Sequence, residues 1–237
     1  MKFSRYNADF GLNNNATGCW LFLVLFLNFG PTAFAGERDG TLVLTIDYPT
    51  VSGAFEYYYD HFQLEIQRQD HSERKTICYS HTWLTFYSCE SKSDFSKAGE
   101  EGAVQVLELS AGEWEVRSFR VMAGQMTFWP KNDFSIPFTI RPERATYIGD
   151  FHPIGCLYKG PLLGVTMAGP VRLLITDKSA RDIPIAQSKK ADLGPIDVSV
   201  FDVDTLGNPW LTGHDNPVVA AQFEATCPHE WQKQGQL

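Results

Sequence analysis

The chain has 237 residues, 43% hydrophobic and 14% aromatic, and a net charge of −8. That is enough apolar material for one large β domain or two small ones. The first 35 residues hold only Lys2, Arg5 and Asp9 as charges, so the acidity belongs to the rest; with no basic stripe to interrupt it, nucleic acid and anionic membrane surfaces are excluded as partners.

Residues 1–35 have the layout of a signal peptide. Lys2 and Arg5 make a positive start, residues 19–29 (CWLFLVLFLNF) an apolar core, and Thr32-Ala33-Phe34-Ala35 a small–x–small cleavage site before Gly36. Eleven apolar residues ended by Pro31 fall short of the ~20 that a spanning helix needs, so cleavage is expected over anchoring. No later segment is apolar for long enough to cross a bilayer.

Residues 40–48 (GTLVLTIDY) alternate Leu42, Leu44, Ile46 and Tyr48 against smaller or polar partners and read as the first strand. An aromatic cluster follows, with Tyr57, Tyr58 and Tyr59 consecutive. Residues 61–68 (HFQLEIQR) alternate again, residues 70–74 turn, and residues 74–80 and 83–88 are the next strands. The polar residues 90–102 are expected as an exposed excursion with one helical turn. Residues 104–109 and 113–121 read as a hairpin about Ala111-Gly112, because glycine accepts the positive φ of a tight reversal. Phe134, Ile136, Phe138 and Ile140 then share one face, with Pro137 marking an edge or a bulge, and residues 145–151 return as a second hairpin. Residues 152–156 are predicted as a loop, 162–167 and 171–176 as strands, 181–192 as a short helix and 196–203 as a last strand. The expected fold class is an all-β, antiparallel β-sandwich of immunoglobulin or transthyretin-like character with one short helix. Residues 36–151 would form its core, 152–226 would complete or extend it, and 227–237 would be a flexible tail.

Without the signal, Cys78, Cys89, Cys156 and Cys227 remain, an even count that in an exported chain implies two disulfides. Of three possible pairings the local one is preferred: Cys78–Cys89 across neighbouring strands, leaving Cys156–Cys227 to close a loop of about 70 residues. A zinc site is disfavoured, since no Cys-x-x-Cys or His pair has ligand spacing.

The pattern L-x-L-x-A-G-x-W-x-V-x-S-F-x-V from Leu107 to Val121, followed by Phe134-Ser135-Ile136-Pro137-Phe138-Thr139-Ile140 and Tyr147-Ile148-Gly149, resembles the core of bacterial envelope sandwich domains. It is similar to carboxypeptidase-regulatory-like and PEGA-like modules. The resemblance covers about 75 residues. It implies a fold and a compartment and transfers no site residues; such modules are usually non-catalytic.

Serine nucleophile elbows, H-E-x-x-H, phosphate-binding loops and G-x-G-x-x-G are absent, and no cofactor is expected. The six histidines are scattered, which reads as surface and turn positions. Asp197, Asp202 and Asp204 near Gly207 and Asn208 are a candidate calcium site by donor type, though not by the spacing of a calcium loop. Asp177 and Asp182 are a carboxylate pair whose simpler reading is a turn and a helix cap. Tyr57, Tyr58, Tyr59, Trp129 and Trp210 are candidate binding residues, because exposed rings stack on sugars or anchor interfaces. The function expected is that of a non-catalytic exported module of the bacterial envelope, periplasmic or secreted, that binds a protein. The alternatives are glycan binding through the aromatics and an enzyme of unrecognised type. Bacterial origin accords with the lack of an N-x-Ser/Thr sequon after residue 35.

Overall fold

A computed structural model of the chain describes residues 39–49, 61–80, 89, 92–97, 100–123, 126–130, 133–159 and 166–213, the side chains of 49, 123, 156–159 and 166–170 excepted. The described strands are β1 (Asp39–Pro49), β2 (His61–Arg68), β3 (Arg74–Ser80), β4 (Phe95–Lys97), β5 (Glu100–Ser110), β6 (Gly112–Ala123), β7 (Met126–Phe128), β8 (Ile136–Ile140), β9 (Ala145–Lys159), β10 (Thr166–Thr176), β11 (Ile196–Val198) and β12 (Leu211–Thr212). One helix, α1 (Ser179–Lys189), and a 3₁₀ turn (Val203–Leu206) complete them.

They form two sheets. The larger runs β12-β10-β9-β1-β5-β4 with β11 also on β9; the smaller runs β3-β2-β6-β7 with β8 also on β6. Leu42, Leu44, Ile46 and Tyr48 of β1 face Phe62, Leu64 and Ile66 of β2 and Trp114, Val116, Phe119 and Val121 of β6 across the core. The alternation read from the sequence sets the core faces of β1 and β2, whereas in β6 a bulge at Arg117 shifts the inward positions from Trp114 and Val116 to Phe119 and Val121. The opposite face of the larger sheet is buried too. There Val43, Val104, Ala145 and Tyr147 pack with Ala186 of α1.

The sandwich expectation holds for the architecture, and three details differ. Neither predicted hairpin pairs with itself. β5 lies in the larger sheet and β6 in the smaller, and β8 and β9 are likewise divided. Gly112 takes its positive φ of 144°, but the turn there carries the chain from one sheet to the other. A period of two is identical for a hairpin and for such a corner, so the pattern cannot separate them. The sheets are also not wholly antiparallel: β1 and β11 both pair parallel to β9, and β12 parallel to β10.

The predicted loop at residues 152–156 is strand, because β9 runs unbroken to Lys159. Pro153 is tolerated there for a geometric reason. Its partner Leu173 donates its N–H to Trp210 on the far side, so this is a pair without mutual hydrogen bonds, and β1 stops pairing with β9 at Phe151. No ladder bond is lost. The expected excursion at 90–102 instead contains β4 and the start of β5, with Phe95 opposite Gly102. The last predicted strand is cut to Ile196–Val198 by the 3₁₀ turn that begins at Val203. The helix begins two residues earlier than expected, where Asp177 Oδ1 accepts the Ser179 N–H, and it ends at Lys189, past which Lys190 is extended. The predicted strand at 83–88, the signal region and the tail beyond 213 lie outside the described residues.

Candidate functional site

Two places on the fold gather polar chemistry. The first is beneath the N-terminal turn of α1. β1 and β9 run parallel until a bulge: Val43 pairs with Tyr147, but two residues later Thr45 pairs with Asp150, three residues on. Gly149, at φ 123°, absorbs the extra residue. As a result Asp150 faces the helix, as Tyr147 does, and does not enter the sandwich core. Asp47 arrives on the same face by simple alternation from Val43, and Gly102 leaves it room, since a Cβ there would stand 2.4 Å from Asp47 Cβ.

Arg181 closes this site from above. Its Nε lies 2.6 Å from Asp182 Oδ1, Nη2 3.2 Å from Asp150 Oδ2, Nη1 3.0 Å from Glu100 Oε2 and 3.6 Å from Asp47 Oδ2. Its guanidinium is stacked 3.9 Å from the centre of the Phe95 ring. His152 Nδ1 is 2.5 Å from Asp47 Oδ1, and the Tyr147 hydroxyl donates to Asp182 Oδ2 at 2.7 Å. Asp47, Asp150 and Asp182 are all buried. Burial, followed by the neighbouring Asp47 carboxyl, holds Asp150 well above the ordinary carboxylate range, although Arg181 pulls the other way. Among the described residues Asp47 Oδ2 and Asp150 Oδ1 have no hydrogen-bond donor. Burial and then the Asp182 charge push the Tyr147 hydroxyl up, so it stays a donor.

The second place is the outer face of the smaller sheet. A groove of about 140 Å³ runs across it, lined by Gln63, Glu65, Thr76, Ser118 and Arg120 with Leu64 and Phe119 at its floor. Register explains the lining. Thr76, Glu65 and Ser118 form one row across β3, β2 and β6, and Cys78, Gln63 and Arg120 form the next. Val121, the neighbour of Arg120 in β6, pairs with Phe128, the last residue of β7, and Trp129 follows directly after it. Phe128 packs on the core, which turns Trp129 outward, and Trp129 is 58% exposed. Glu65 is held by Arg74 at 2.6 Å. The side chains of Gln63, Thr76, Ser118 and Arg120 make no hydrogen bond or ion pair with other described residues.

Of the residues singled out from sequence, Trp129 is exposed and Trp210 is not. Trp210 is only 5% exposed: its carbonyl accepts from Leu173 at 2.7 Å and its own N–H is held by Asn208 Oδ1, which seats the ring in the core ahead of β12. Tyr57, Tyr58 and Tyr59 lie outside the described residues. The three aspartates of the calcium candidate have other uses. Asp197 takes Arg144 Nε at 2.8 Å and Arg141 Nη1 at 3.4 Å, and the Arg144 contact holds its carboxyl below the ordinary range. Asp202 Oδ1 accepts the Asp204 N–H at the start of the 3₁₀ turn, and Asp204 Oδ1 accepts from Gly213. Among the described residues no group of three or more His, Cys, Asp or Glu is arranged to hold a metal ion.

Cys78 and Cys89 are joined in a disulfide with Cα atoms 5.1 Å apart, and the Cys89 sulfur lies 3.7 Å from the His61 ring. Cys156 is in β9, and Cys227 lies outside the described residues. Asp177 is the turn residue of the simpler reading, but Asp182 is no cap; it is buried against Arg181 and Tyr147. His61 is buried and His152 is paired with Asp47, so neither is a plain surface histidine. Sequence reading missed Asp47 and Asp150. The available signal was a carboxylate inside a strand with no turn residue after it, Ile46-Asp47-Tyr48 and Asp150-Phe151.

No protein-family model matches the chain, carboxypeptidase-regulatory-like and PEGA-like modules included, and no curated protein matches it. Two solved structures are similar over part of its length. A leucine-rich repeat protein of Bacteroides thetaiotaomicron VPI-5482 is 10% identical over 48% of this chain and 14% of its own, with a TM-score of 0.30. A proposed cell adhesion protein of Parabacteroides distasonis ATCC 8503 is 11% identical over 58% of this chain and 40% of its own, with a TM-score of 0.31. At these scores neither bears on function.

Proposed function

We propose that the chain is a non-catalytic, exported binding protein of the bacterial envelope, and that its working surface, engaging a protein or glycan component, is the outer face of the smaller sheet. The observation that carries this reading is an open groove in which the side chains of Gln63, Thr76, Ser118 and Arg120 make no hydrogen bond or ion pair with other described residues, with the exposed indole of Trp129 following β7. Exposed Trp and Arg are the side chains that most often anchor recognition. The buried acids are a poorer candidate for work on a substrate. Asp47, Asp150 and Asp182 lie under α1 and Phe95, and each already faces Arg181. The Cys78–Cys89 disulfide supports an oxidising compartment. Among the described residues no helix is long and apolar enough to cross a membrane.

Affinity isolation from gently solubilised envelopes tests the reading, with the chain lacking residues 1–35 as bait beside its Trp129→Ala/Arg120→Gln variant. A component retained by the first and lost from the second is expected. Identical retention by both baits overturns the choice of face.

A further inference from the structure

The groove on the smaller sheet carries a more specific chemistry, and its assignment rests on the reading of that face as the working surface. Five polar side chains converge there from three strands: the Gln63 amide, the Thr76 and Ser118 hydroxyls, the Glu65 carboxylate and the Arg120 guanidinium. Amide and hydroxyl groups both donate and accept, the pattern that answers the hydroxyls of a sugar, each of which also does both. Glu65 is neutralised by Arg74 at 2.6 Å, whereas Arg120 makes no ion pair with any described residue. Among the described residues the lining therefore has one charge without an ion-pair partner, and it is a planar fork suited to gripping a carboxylate through two parallel bonds. Trp129 follows Phe128, the partner of Arg120's neighbour Val121, and is 58% exposed, so a flat apolar ring is available at this end of β6. A groove of about 140 Å³ is of the order of one sugar ring.

We infer that this groove is a binding site for a carboxylate-bearing saccharide: Arg120 takes the carboxylate of a uronic acid residue, Trp129 stacks on the C–H face of the ring, and Gln63, Ser118 and Thr76 bond its hydroxyls. The acidic chain as a whole opposes a polyanion at long range, so a single guanidinium selects one carboxylate of a sparsely charged glycan and not a phosphate backbone. The small apolar surface beside the groove, one indole, is likewise less than a protein hot spot surrounded by an excluding rim.

The test is calorimetric titration of the chain lacking residues 1–35 with xylotetraose bearing a single glucuronic acid and with unsubstituted, neutral xylotetraose. The uronate is expected to bind about tenfold more tightly than the neutral sugar, as one charge-assisted contact predicts. Arg120→Gln should erase that preference, and Trp129→Ala should weaken both sugars about tenfold, with the unfolding midpoint unchanged in each variant. Absence of binding to both sugars at millimolar concentration overturns the saccharide assignment, as does a uronate preference that survives Arg120→Gln. If no sugar binds and yet the double variant loses its envelope component, the ligand class fails while the working face stands. If capture is also unaffected, both fail.

Discussion

Asp150 and Arg181 meet at 3.2 Å only because Gly149 inserts one extra residue into β9 just before the aspartate. The bulge turns a side chain of core parity toward the helix, and the φ of 123° it requires is one that residues with a Cβ avoid. Gly149→Ala would add a Cβ 3.2 Å from Ile175 Cγ2 and from the Thr176 carbonyl. A cost of about 1–3 kcal/mol is expected in urea unfolding, the usual toll of such a backbone position. An unchanged midpoint would show that the bulge relaxes freely.

Arg181→Ala should be far more damaging. It leaves Asp47, Asp150 and Asp182 buried without the guanidinium they share. Removing one partner of a buried ion cluster costs about 3–5 kcal/mol. The loss should shrink as pH is lowered and Asp150, held above its ordinary value, takes up a proton, which unfolding at pH 7 and pH 5 will separate from a plain packing defect.

The pH dependence of Asp150 has a definite sign. A carboxyl held above its ordinary value of 3.8 binds a proton on folding, so it favours the fold at low pH. That contribution is lost as pH rises from 3.8 through the folded value. Asp150→Asn is neutral at every pH and should therefore gain stability relative to the native chain between pH 5 and pH 8. A constant difference across that range would place the proton elsewhere.

The disulfide closes a short loop, Cys78 to Cys89, eleven residues apart. Chain entropy gives it about 3 kcal/mol. Cys78→Ser/Cys89→Ser should lower unfolding stability by that order, and an unchanged urea midpoint would contradict it.

Much of this was legible in the residues. Alternation at Leu42, Leu44, Ile46 and Tyr48 identified the core face of β1, and the same rule applied to Val43, Thr45 and Asp47 would have placed a carboxylate on the helix side. What it could not reach was lateral order. Gln63 points outward by parity, but Ser118 and Arg120 share the parity of the buried Trp114 and Val116 and face outward only because a bulge at Arg117 shifts the register of β6. Their meeting with Gln63 depends on β2 and β6 being neighbours, a fact of long-range pairing. Sheet membership at Gly112 was hidden for the same reason. Asp150 was hidden further, because a one-residue bulge reverses every inference from parity. Trp210 misled through its context: after Pro209 it has the look of a loop, whereas the Leu173 N–H makes its carbonyl part of a sheet edge.

The most direct measurement is hydroxyl-radical footprinting of the chain lacking residues 1–35, with and without solubilised envelope material. Val198, 50% exposed in β11 of the larger sheet, serves as the control for Trp129, which is 58% exposed beside the groove. Protection of Trp129 with Val198 unchanged is the result this account predicts. Protection at Val198 while Trp129 stays fully reactive would contradict it and move the working surface to the other sheet.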